Sequence, residues 1–431
     1  MSDKTQDGVP RRTVLAGAGM GLAMVSAKAV AAPAVSGPAP INEGSAQGGR
    51  IAFAAIHAET ERPDAGPPNQ DPPSRRVGFA IMGLGRLALE NILPAFAQCK
   101  HARPVALVSG DPEKMRIVAA QYGIAPTACY DYESFDRIRD DAAVEAVYVV
   151  LPNALHHDAV IRAARAGKHV LCEKPMATSP GEARSMVDGC AKAGKILMIA
   201  YRCQYEIYNV DLSKRARAGE FGDVQLIDAI NTQNQGDPAQ WRQKKALAGG
   251  GSLPDVGLYC LNTARALLGE EPVEVSAMIH SPAGDPRFAE VEASVSFTLR
   301  FPSGVIANCA TSYAAHEHRN MRVIGSKGVG EVENAFGYEG QALRVFRRDG
   351  KAETNSQVSL GQKNQFSLEI DHMAQCVRTG TKPRTPGEEG LQDQTIMAAI
   401  YESARSGRPV KLAAPAQTDA FRGPIPKSGD V

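Results

Sequence analysis

A glycine-rich hexapeptide has the residue types and spacing that bind a dinucleotide. Gly83-Leu84-Gly85-Arg86-Leu87-Ala88 follows an apolar run of strand length, Val77 to Met82, and opens a segment with helical periodicity. In this context the first glycine allows a tight turn, the second lets the backbone approach a pyrophosphate, and the alanine permits close packing of helix on strand. The N–H groups at the start of such a helix bind phosphate. The motif therefore predicts a dinucleotide site.

The end of the second strand indicates which dinucleotide to expect. In an NAD-binding fold this position carries an acid that holds the ribose 2′-hydroxyl. Here it carries Ser109, with Lys114 one turn later and Arg86 in the glycine-rich loop. A hydroxyl and two cations suit a 2′-phosphate, so the sequence predicts NADP. Asp111 is the nearest acid and leaves NAD open as the alternative.

Lys174, Asp255 and Tyr259 form a set that can move a proton. The ordinary pKa of tyrosine, about 10, is too high for a good base, and a nearby ammonium lowers it. Lys174, in a Glu-Lys-Pro turn, can supply that charge. Asp255 lies four residues before Tyr259, one turn if the segment is helical, so both side chains can face one cleft. No Cys/His cluster has the spacing of metal ligands, so no metal is expected.

Alternating strands and helices must position these groups. The strand-like runs "AVEAVYVVLPN", "KHVLCEKP" and "KILMIAY" alternate with the helical segments "HHDAVIRAARAG" and "SPGEARSMVDGCAKAG". This alternation predicts a Rossmann domain, a doubly wound parallel sheet of the α/β class, over residues 76–200. Ligands bind beyond the carboxyl ends of such strands. The residues at or just past those ends are Leu151, Pro152, Asn153, His156, Glu173, Lys174, Pro175, Tyr201 and Arg202.

From about Gly222 the pattern changes to alternating apolar and polar residues, as in "VEVSAMIHS" and "VEASVSFTLRF". This predicts an α+β domain over residues 201–412, with an open, mostly antiparallel sheet that is covered on one face. Such a sheet often pairs across a dimer face. The amphipathic segments "FSLEIDHMAQCVRTG" and "LQDQTIMAAIYESARSG" are expected to return to the first domain, and residues 413–431 to form a tail.

The composition limits the classes of partner. The chain has 431 residues, 43% hydrophobic and 22% charged, with a net charge of +1. This balance argues against a nucleic-acid surface and against a polybasic membrane patch. The eight cysteines include no C-x-x-C pair, so buried free thiols are expected rather than disulfides or zinc ligands.

The N-terminus resembles an export address. Arg11-Arg12 precedes a short apolar run, Val14 to Val25, which fits a twin-arginine signal and is too short to span a membrane. Residues 1–31 are therefore predicted to be a signal peptide; a frayed apolar terminus is the alternative. Residues 32–75 are rich in proline and glycine and form either a loose linker or an arm that packs on a partner subunit.

Longer segments now carry a family likeness. "LPNALHHDAVIRAARAGKHVLCEKPMA", "AYRCQYEIYN" and "WRQKKALAGGGSLPDVGLYCLN" resemble the glucose–fructose oxidoreductase, inositol dehydrogenase and rhizopine-catabolism (Gfo/Idh/MocA) family over residues 75–412. Its two specific motifs are E-K-P and D-x-G-x-[HY]. Most of the family has histidine at the last position. Tyr259 stands there instead, which is similar to the glucose–fructose oxidoreductase branch.

The resemblance implies roles for individual residues. It implies that Lys174, Asp255 and Tyr259 are the catalytic set, that the Lys174–Pro175 bond is cis, and that Trp241 and Arg242 lie near the cofactor. Further cofactor-contacting positions implied by the family pattern are Tyr130, Asn153, His156, Arg202 and Tyr338. The proline-rich region resembles the branch's N-terminal arm, which crosses to a neighbouring subunit and covers the adenine end of the cofactor.

The branch also implies a function. It is periplasmic, is exported by a twin-arginine signal and holds NADP tightly, so the protein would fold around NADP and cross the membrane as a finished holoprotein; a homo-oligomer, dimer or tetramer, is also expected. One sugar would be oxidised at C1 to a lactone and a second reduced by the NADPH so formed. An aldose–aldose oxidoreductase or a simple sugar dehydrogenase shares every motif. A non-catalytic exported sugar-binding protein is the alternative of another class, and the intact Lys174, Asp255 and Tyr259 argue against it.

Overall fold

The computed structural model describes residues 70–361 and 363–425, together with the backbone of 45–47 and 50–52. The predicted signal peptide lies outside the described residues, as does most of the predicted arm. Within the arm, β1 (Ser45–Gln47) and β2 (Arg50–Ala52) form an antiparallel hairpin. In the described end of the arm, the Asp71 carboxylate accepts hydrogen bonds from His101 (2.8 Å) and from Arg378 (2.9 Å).

Six parallel strands form the first sheet, in the order β5-β4-β3-β6-β7-β8. The strands are β3 (Val77–Met82), β4 (Ala102–Val108), β5 (Cys129–Tyr130), β6 (Ala146–Val149), β7 (His169–Glu173) and β8 (Leu197–Ala200). Every residue of β3 is buried, as expected for a strand covered on both faces. The order reverses between β3 and β6, which is the position where doubly wound sheets bind ligands.

The helices of this domain begin where the sequence provides capping groups. They are a π-helical turn (Ala88–Ile92) that continues into α1 (Leu93–Ala95), then α2 (Pro112–Tyr122), α3 (His156–Arg165) and α4 (Pro180–Lys192). The Asp111 side chain caps α2 and the Ser179 side chain caps α4, each by accepting a backbone N–H of the first turn. The predicted Rossmann domain is confirmed.

Nine strands form the second sheet, in the order β16-β15-β14-β13-β9-β12-β11-β10-β17. They are β9 (Val224–Asn234), β10 (Glu274–His280), β11 (Ser294–Arg300), β12 (Ile306–Ser312), β13 (Ala314–Gly325), β14 (Gly328–Glu333), β15 (Ala342–Asp349), β16 (Ala352–Val358) and β17 (Val410–Lys411). All neighbours are antiparallel except β9 and β12, so the predicted open, mostly antiparallel sheet is also confirmed.

The remaining helices connect the two sheets. They are α5 (Ile207–Arg217), α6 (Lys245–Ala248), a π-helical turn (Leu253–Gly257) that continues into α7 (Leu258–Leu268), α8 (Gln365–Thr379) and α9 (Gly387–Ser406). Helix α8 packs on the first sheet, where the Asp371 carboxylate accepts the backbone N–H groups of Lys100 and His101 at 2.7 and 2.8 Å. Helix α9 packs on β8 and α4, so both helices return to the first domain as predicted.

A buried ion cluster fixes the start of the C-terminal tail. The fully buried Arg265 guanidinium donates to Glu271, Glu389 and Asp393. Arg422, in the tail, donates to Glu389 at 2.9 Å and to Glu271 at 3.1 Å. Two cations thus face three carboxyl groups in a region that excludes water. One consequence of the surplus acid is that burial raises the pKa of Asp393 to about 6, because the charge of Arg265 only partly offsets it.

The cysteines behave as small apolar residues. All eight lie within the described ranges and are free; seven are buried and Cys129 is half-buried. Burial raises the pKa values of these thiols, which keeps them protonated. Among the described residues, no group of three or more His, Cys, Asp or Glu side chains is placed to hold a metal ion. The helices in the same ranges are all too short or too polar to cross a membrane.

Candidate active site

The predicted chemical groups share one edge of the first sheet. Gly83 follows β3, Ser109 follows β4, Leu151 follows β6 and Lys174 follows β7, while Arg202 comes two residues after the end of β8. Because all six strands are parallel, their carboxyl ends meet at this edge. The edge therefore gathers the glycine-rich turn and the candidate catalytic lysine on either side of the strand-order reversal.

The glycine-rich turn forms an open cradle. Gly83 has φ of 99°, and a Cβ there would lie 2.3 Å from the carbonyl oxygen of Val150, so only glycine fits. A Cβ on Gly85 would meet no atom within 4 Å. Arg86 is exposed beside it and forms an ion pair with Glu90 at 2.9 Å. Strand, turn and helix are thus arranged as pyrophosphate binding requires, so the residues fit a dinucleotide.

The residues after β4 surround a buried hydroxyl. Ser109 is 5% exposed, and its Oγ accepts the backbone N–H of Asp111 at 3.2 Å. The Asp111 carboxylate in turn accepts the backbone N–H of Lys114 at 2.9 Å, capping α2, and lies 3.9 Å from the Lys114 ammonium. The acid that left NAD open is therefore engaged as a helix cap, and the lysine lies within reach of the Ser109 turn.

An ion pair joins the two domains at the centre of the site. Lys174 Nζ donates to Asp255 Oδ1 at 2.9 Å and to the Asp255 carbonyl oxygen at 3.0 Å. The other carboxylate oxygen accepts Arg242 Nε at 3.0 Å and the hydroxyl of Tyr313 at 2.6 Å. The Lys174 and Asp255 side chains are only 11% and 14% exposed, so little water screens the pair.

These contacts fix the charges of the pair. Burial alone would raise the pKa of Asp255, but the cations of Lys174 and Arg242 and the Tyr313 hydroxyl hold it well below the ordinary range. Burial likewise opposes the charged form of Lys174, and the Asp255, Tyr259 and Glu173 groups hold its pKa above the ordinary value. Asp255 is therefore a permanent anion that positions Lys174 and Arg242, and its pKa is too low for a good base.

Tyr259 lies against two cations, yet its pKa is raised. Lys174 Nζ and the Arg202 guanidinium carbon each lie 4.6 Å from the centre of its ring. Both cations lower the pKa of Tyr259, but burial outweighs them and raises it to about 12. Lys174 thus lowers this pKa as expected, but in the ligand-free protein the pKa stays above its ordinary value because burial outweighs both cations.

Arg202 fixes the protein segments that pack behind Tyr259. Its guanidinium donates to the carbonyl oxygens of Phe336 (2.7 Å) and Gly337 (3.0 Å) and to Gln365 Oε1 (2.6 Å). It also lies 4.5 Å from the ring centre of Tyr338. Among the described residues its Nε has no hydrogen-bond partner, although it is buried. A buried donor without a partner is costly, and this one borders the cleft that holds Tyr259.

A dinucleotide cradle and a Lys-Asp-Tyr cluster on one edge of a doubly wound sheet can now be compared with known proteins. The sequence model of the oxidoreductase family with an NAD-binding Rossmann fold matches residues 77–201. The model of the GFO/IDH/MocA C-terminal domain matches residues 210–331. The chain belongs to the Gfo/Idh/MocA oxidoreductase family.

Gfo/Idh/MocA relatives of several activities resemble this chain. D-xylose 1-dehydrogenase [NADP(+)] of Haloarcula marismortui is 34% identical over 342 residues, 78% of this chain and 93% of that protein. The NAD(+)-dependent scyllo-inositol 2-dehydrogenase of Bacillus subtilis is 25% identical over 78% of this chain and 96% of its own. The crystal structure of aldose-aldose oxidoreductase from Caulobacter crescentus, complexed with glycerol, has a TM-score of 0.76 and 47% identity, covering 78% of this chain and all of that one.

Several residues predicted to contact the cofactor of this Gfo/Idh/MocA protein also shape its loops. The buried His156 ring lies between two carbonyl oxygens, with Nδ1 2.9 Å from that of Pro175 and Nε2 2.8 Å from that of Leu151. Both nitrogens are thus engaged by the chain, and His156 is a positioning residue. Pro152 precedes a 3₁₀ turn (Asn153–Leu155), and Asn153 Nδ2 donates to the Ala248 carbonyl oxygen at 2.8 Å. The Lys174–Pro175 bond is cis, which confirms the prediction.

The other residues predicted to contact the cofactor do not all lie beside Lys174, Asp255 and Tyr259. Trp241 and Arg242 begin a 3₁₀ turn, and the guanidinium of Arg242 lies 4.5 Å from the indole ring centre. Tyr338 is half-exposed beside Arg202. The hydroxyl of Tyr130 donates to Asp141 at 3.0 Å, in the loop that leads into the amino end of β6. Its side chain therefore extends away from the carboxyl edge, and its role in cofactor binding stays a prediction.

Sequence reasoning missed the residues that support this site from a distance along the chain. Tyr313, which donates to Asp255, is buried between β12 and β13. Gln365, at the start of α8, accepts from Arg202. Phe336 stacks on Tyr259 with ring centres 6.1 Å apart. None of these three residues lies in a recognisable sequence motif. The one available signal is that Tyr313 stands at the end of a segment whose apolar and polar residues alternate as in a strand.

Proposed function

We propose that this protein is an NADP-dependent sugar oxidoreductase that oxidises an aldose at C1 to a lactone and passes the hydride to a second sugar, without releasing its cofactor between the two steps. The observation that carries the proposal is the Lys174–Asp255 ion pair beside Tyr259, at the edge that also holds the glycine-rich cradle. A nicotinamide bound there accepts a hydride from a sugar carbon and returns it to another.

The side chains divide the remaining work. In the oxidative half-reaction the Tyr259 oxygen takes the proton of the C1 hydroxyl, and in the reductive half-reaction it returns a proton to the carbonyl oxygen of the second sugar. A phenol whose pKa is about 12 holds its proton at neutral pH and is ready to donate it. Lys174 steadies the developing negative charge on oxygen, and Asp255 keeps the ammonium oriented.

The identity of the second sugar separates two versions of this proposal. The glucose–fructose oxidoreductase resemblance favours fructose, whereas the aldose-aldose oxidoreductase at 47% identity favours a second aldose. A simple sugar dehydrogenase that exchanges its cofactor is the runner-up, supported by the xylose dehydrogenase relative at 34% identity.

One experiment distinguishes the three. The purified protein is mixed with glucose alone, with glucose plus fructose, and with glucose plus xylose, without added NADP, while absorbance follows the bound cofactor. One reduction per site with glucose alone, followed by turnover only when a second sugar is present, supports the proposal and identifies that sugar. Turnover only with added free NADP supports the dehydrogenase. No reduction under any condition refutes the assigned chemistry.

NADP is proposed over NAD because cations and a hydroxyl surround the turn after β4. Ser109 is buried there, Asp111 is engaged as a helix cap, and Lys114 and Arg86 are exposed nearby. Denaturing the purified protein should release NADP(H) in nearly one-to-one amount. Recovery of mainly NAD(H) would contradict this choice.

Export to the periplasm by the twin-arginine route is proposed from Arg11-Arg12 and the short apolar run that follows. The double substitution Arg11→Lys with Arg12→Lys should leave the protein in the cytoplasm with its cofactor bound. A double variant that reaches the periplasm as efficiently as the parent would show that the segment has another role.

A homo-oligomer is proposed from the open face of the second sheet. Leu226, Ile230 and Ile306 are exposed on the neighbouring central strands β9 and β12, with Leu226 directly opposite Ile306. Such an apolar stripe suits burial against a second copy. The substitutions Leu226→Lys and Ile306→Lys together should lower the mass of the protein in solution, and an unchanged mass would contradict the proposed interface.

Deletion of residues 32–69 should raise the rate at which the cofactor dissociates if the arm covers it. An unchanged cofactor off-rate would contradict that role of the arm.

A further inference from the structure

Two buried carboxyl groups share one tyrosine directly behind Lys174 and Arg202. Tyr148 lies on β6, Glu173 ends β7 and Glu369 lies on α8. The Tyr148 hydroxyl oxygen is 2.8 Å from Glu173 Oε1 and 3.3 Å from Glu369 Oε1. Glu369 and Tyr148 are completely buried, and Glu173 is 6% exposed. The mechanism above uses none of these hydrogen bonds.

A count of hydrogens shows that both carboxyl groups cannot be ionised. The tyrosine hydroxyl has one hydrogen, so it donates to one of the two oxygens. If both were carboxylates, the other contact would place two lone pairs together without a proton between them. A proton on one carboxyl group turns that contact into a second hydrogen bond, so both close contacts of the Tyr148 oxygen are then hydrogen bonds.

The remaining contacts indicate which carboxyl group carries that proton. Burial raises the pKa of Glu173, but the backbone N–H of Lys174, which Glu173 Oε2 accepts at 3.2 Å, and the nearby cations of Lys174 and Arg202 oppose that rise and favour a carboxylate. Among the described residues, Glu369 Oε2 has no partner, although it is buried. Burial and the charge of Glu173 raise the pKa of Glu369 well above its usual range, while Arg202 opposes the rise.

Among the described residues, further acids lie beyond the cations that face the pair: Asp255 pairs with Lys174, and Glu206 acts on Arg202 and Cys203. The groups that act on the pair from the packed elements are Lys174 and Arg202, with Tyr148, Cys172, Cys203 and Tyr205 as neutral neighbours whose own pKa values are raised by burial. Lys174 and Arg202 both favour the charged form of Glu173, whereas of these two cations only Arg202 favours that of Glu369, so Glu173 is the member of the pair that keeps the negative charge.

We propose that Glu369 holds one proton at neutral pH and donates it to the Tyr148 oxygen, while Tyr148 donates its own hydrogen to an ionised Glu173. Glu173 is then a positioning residue whose negative charge orients Lys174 and Arg202. Glu369 is a buried acid that stays neutral, so the pair carries only that one negative charge. The protonation pattern stands on the geometry alone; only its kinetic effect rests on the proposed sugar oxidation.

The first test reads the proton directly and needs no substrate. Infrared spectra of the cofactor-loaded protein with ¹³C-labelled glutamate should show a protonated carboxyl band at neutral pH, shifted by the label. The band should be lost in Glu369→Gln, and it should move in Tyr148→Phe, which removes the hydrogen bond but keeps the ring. An absent band in the parent, or a band unaffected by Glu369→Gln, would overturn the proposal. If Glu369→Gln does not fold, an unmoved band in Tyr148→Phe overturns it equally.

The second test asks whether the single charge matters for the active site. Glu369→Gln replaces one neutral group by another, so the pH at which glucose reduces the bound cofactor half-maximally should not move. Glu173→Gln removes the anion beside Lys174 and Arg202, so the pKa of Tyr259 should fall and the pH of half-maximal cofactor reduction should move down. The limiting rate of this variant should also be at least about tenfold below that of Glu369→Gln. The same half-maximal pH in both variants would refute the positioning role of Glu173. A protein without any glucose activity leaves the infrared result valid and refutes only the proposed function.

Discussion

Replacing Lys174 by methionine removes the cation that lies against the catalytic phenol while keeping most of the side-chain volume. Lys174 Nζ is 4.6 Å from the Tyr259 ring centre. Two unit charges at that distance interact by about 3.6 kcal/mol when the effective dielectric constant is about 20, the value that suits partly buried pairs. That energy corresponds to about 400-fold in the proton affinity of the phenol, because each 1.36 kcal/mol is about tenfold.

The sign follows from which form of Tyr259 the cation stabilises. Lys174 favours the phenolate, so its loss should raise the pKa of Tyr259 further above about 12. Oxidation of the sugar needs the phenolate as base. At any pH below the pKa of Tyr259, Lys174→Met should therefore reduce the bound cofactor up to about 400-fold more slowly. The alkaline limb of the pH–rate profile, where the rate rises as Tyr259 ionises, should move upward.

Stopped-flow absorbance at the NADPH band, recorded as a function of pH, measures this shift. Lys174→Arg is the matched control, since it keeps the charge and should keep the limb close to its original position. Cofactor content, measured after denaturation, must equal that of the parent for the comparison to hold. A Lys174→Met protein with full cofactor and an unmoved limb would refute the assignment of Lys174 as the charge that tunes Tyr259.

Three further predictions test other parts of the argument. Tyr259→Phe should slow both half-reactions by about 10²–10⁴ with cofactor still bound; stopped-flow rates equal to the parent's would exclude Tyr259 as the acid–base group. Gly85→Val should abolish cofactor retention but leave the melting temperature of the cofactor-free protein unchanged, because the space is open, whereas Gly83→Ala should lower that melting temperature. Burial raises the pKa of Asp393 to about 6, so its contribution to stability is present below the unfolded value of about 3.9 and is lost as pH rises toward 6. Urea denaturation of Asp393→Asn should lack this pH dependence, and an unchanged slope would contradict the assignment.

Local patterns in the sequence predict the frame of this molecule well. The bounds of β3, Val77–Met82, follow from an apolar run that ends at a glycine turn, and the start of α4 follows from the Ser179 cap. The open sheet follows from alternation along β10 and β11. These features depend on residues that are close together in the chain, so a single sequence contains them.

The site is predictable only in part, because its energetics depend on distant contacts. Lys174, Asp255 and Tyr259 come together as predicted, but Tyr313 reaches Asp255 only through the pairing of β12 with β9. The net pKa of Tyr259 also depends on burial by α8 and the second sheet, which no local pattern reveals. Glu369 shows the same limitation, since its partner Glu173 lies almost two hundred residues earlier in the chain.

The hydrogen bonds of Lys174 and Arg202 have a consequence for how long the cofactor stays. Lys174 belongs to the first domain and is held by Asp255 of the second, while Arg202, just past the last strand of the first sheet, is held by the carbonyl oxygens of Phe336 and Gly337. Separating the domains must therefore break a nearly buried ion pair and expose both of its charges to water. Under the proposed function this pair acts as a latch, so the residence time of a bound dinucleotide would depend on the rate of domain opening as well as on its own contacts.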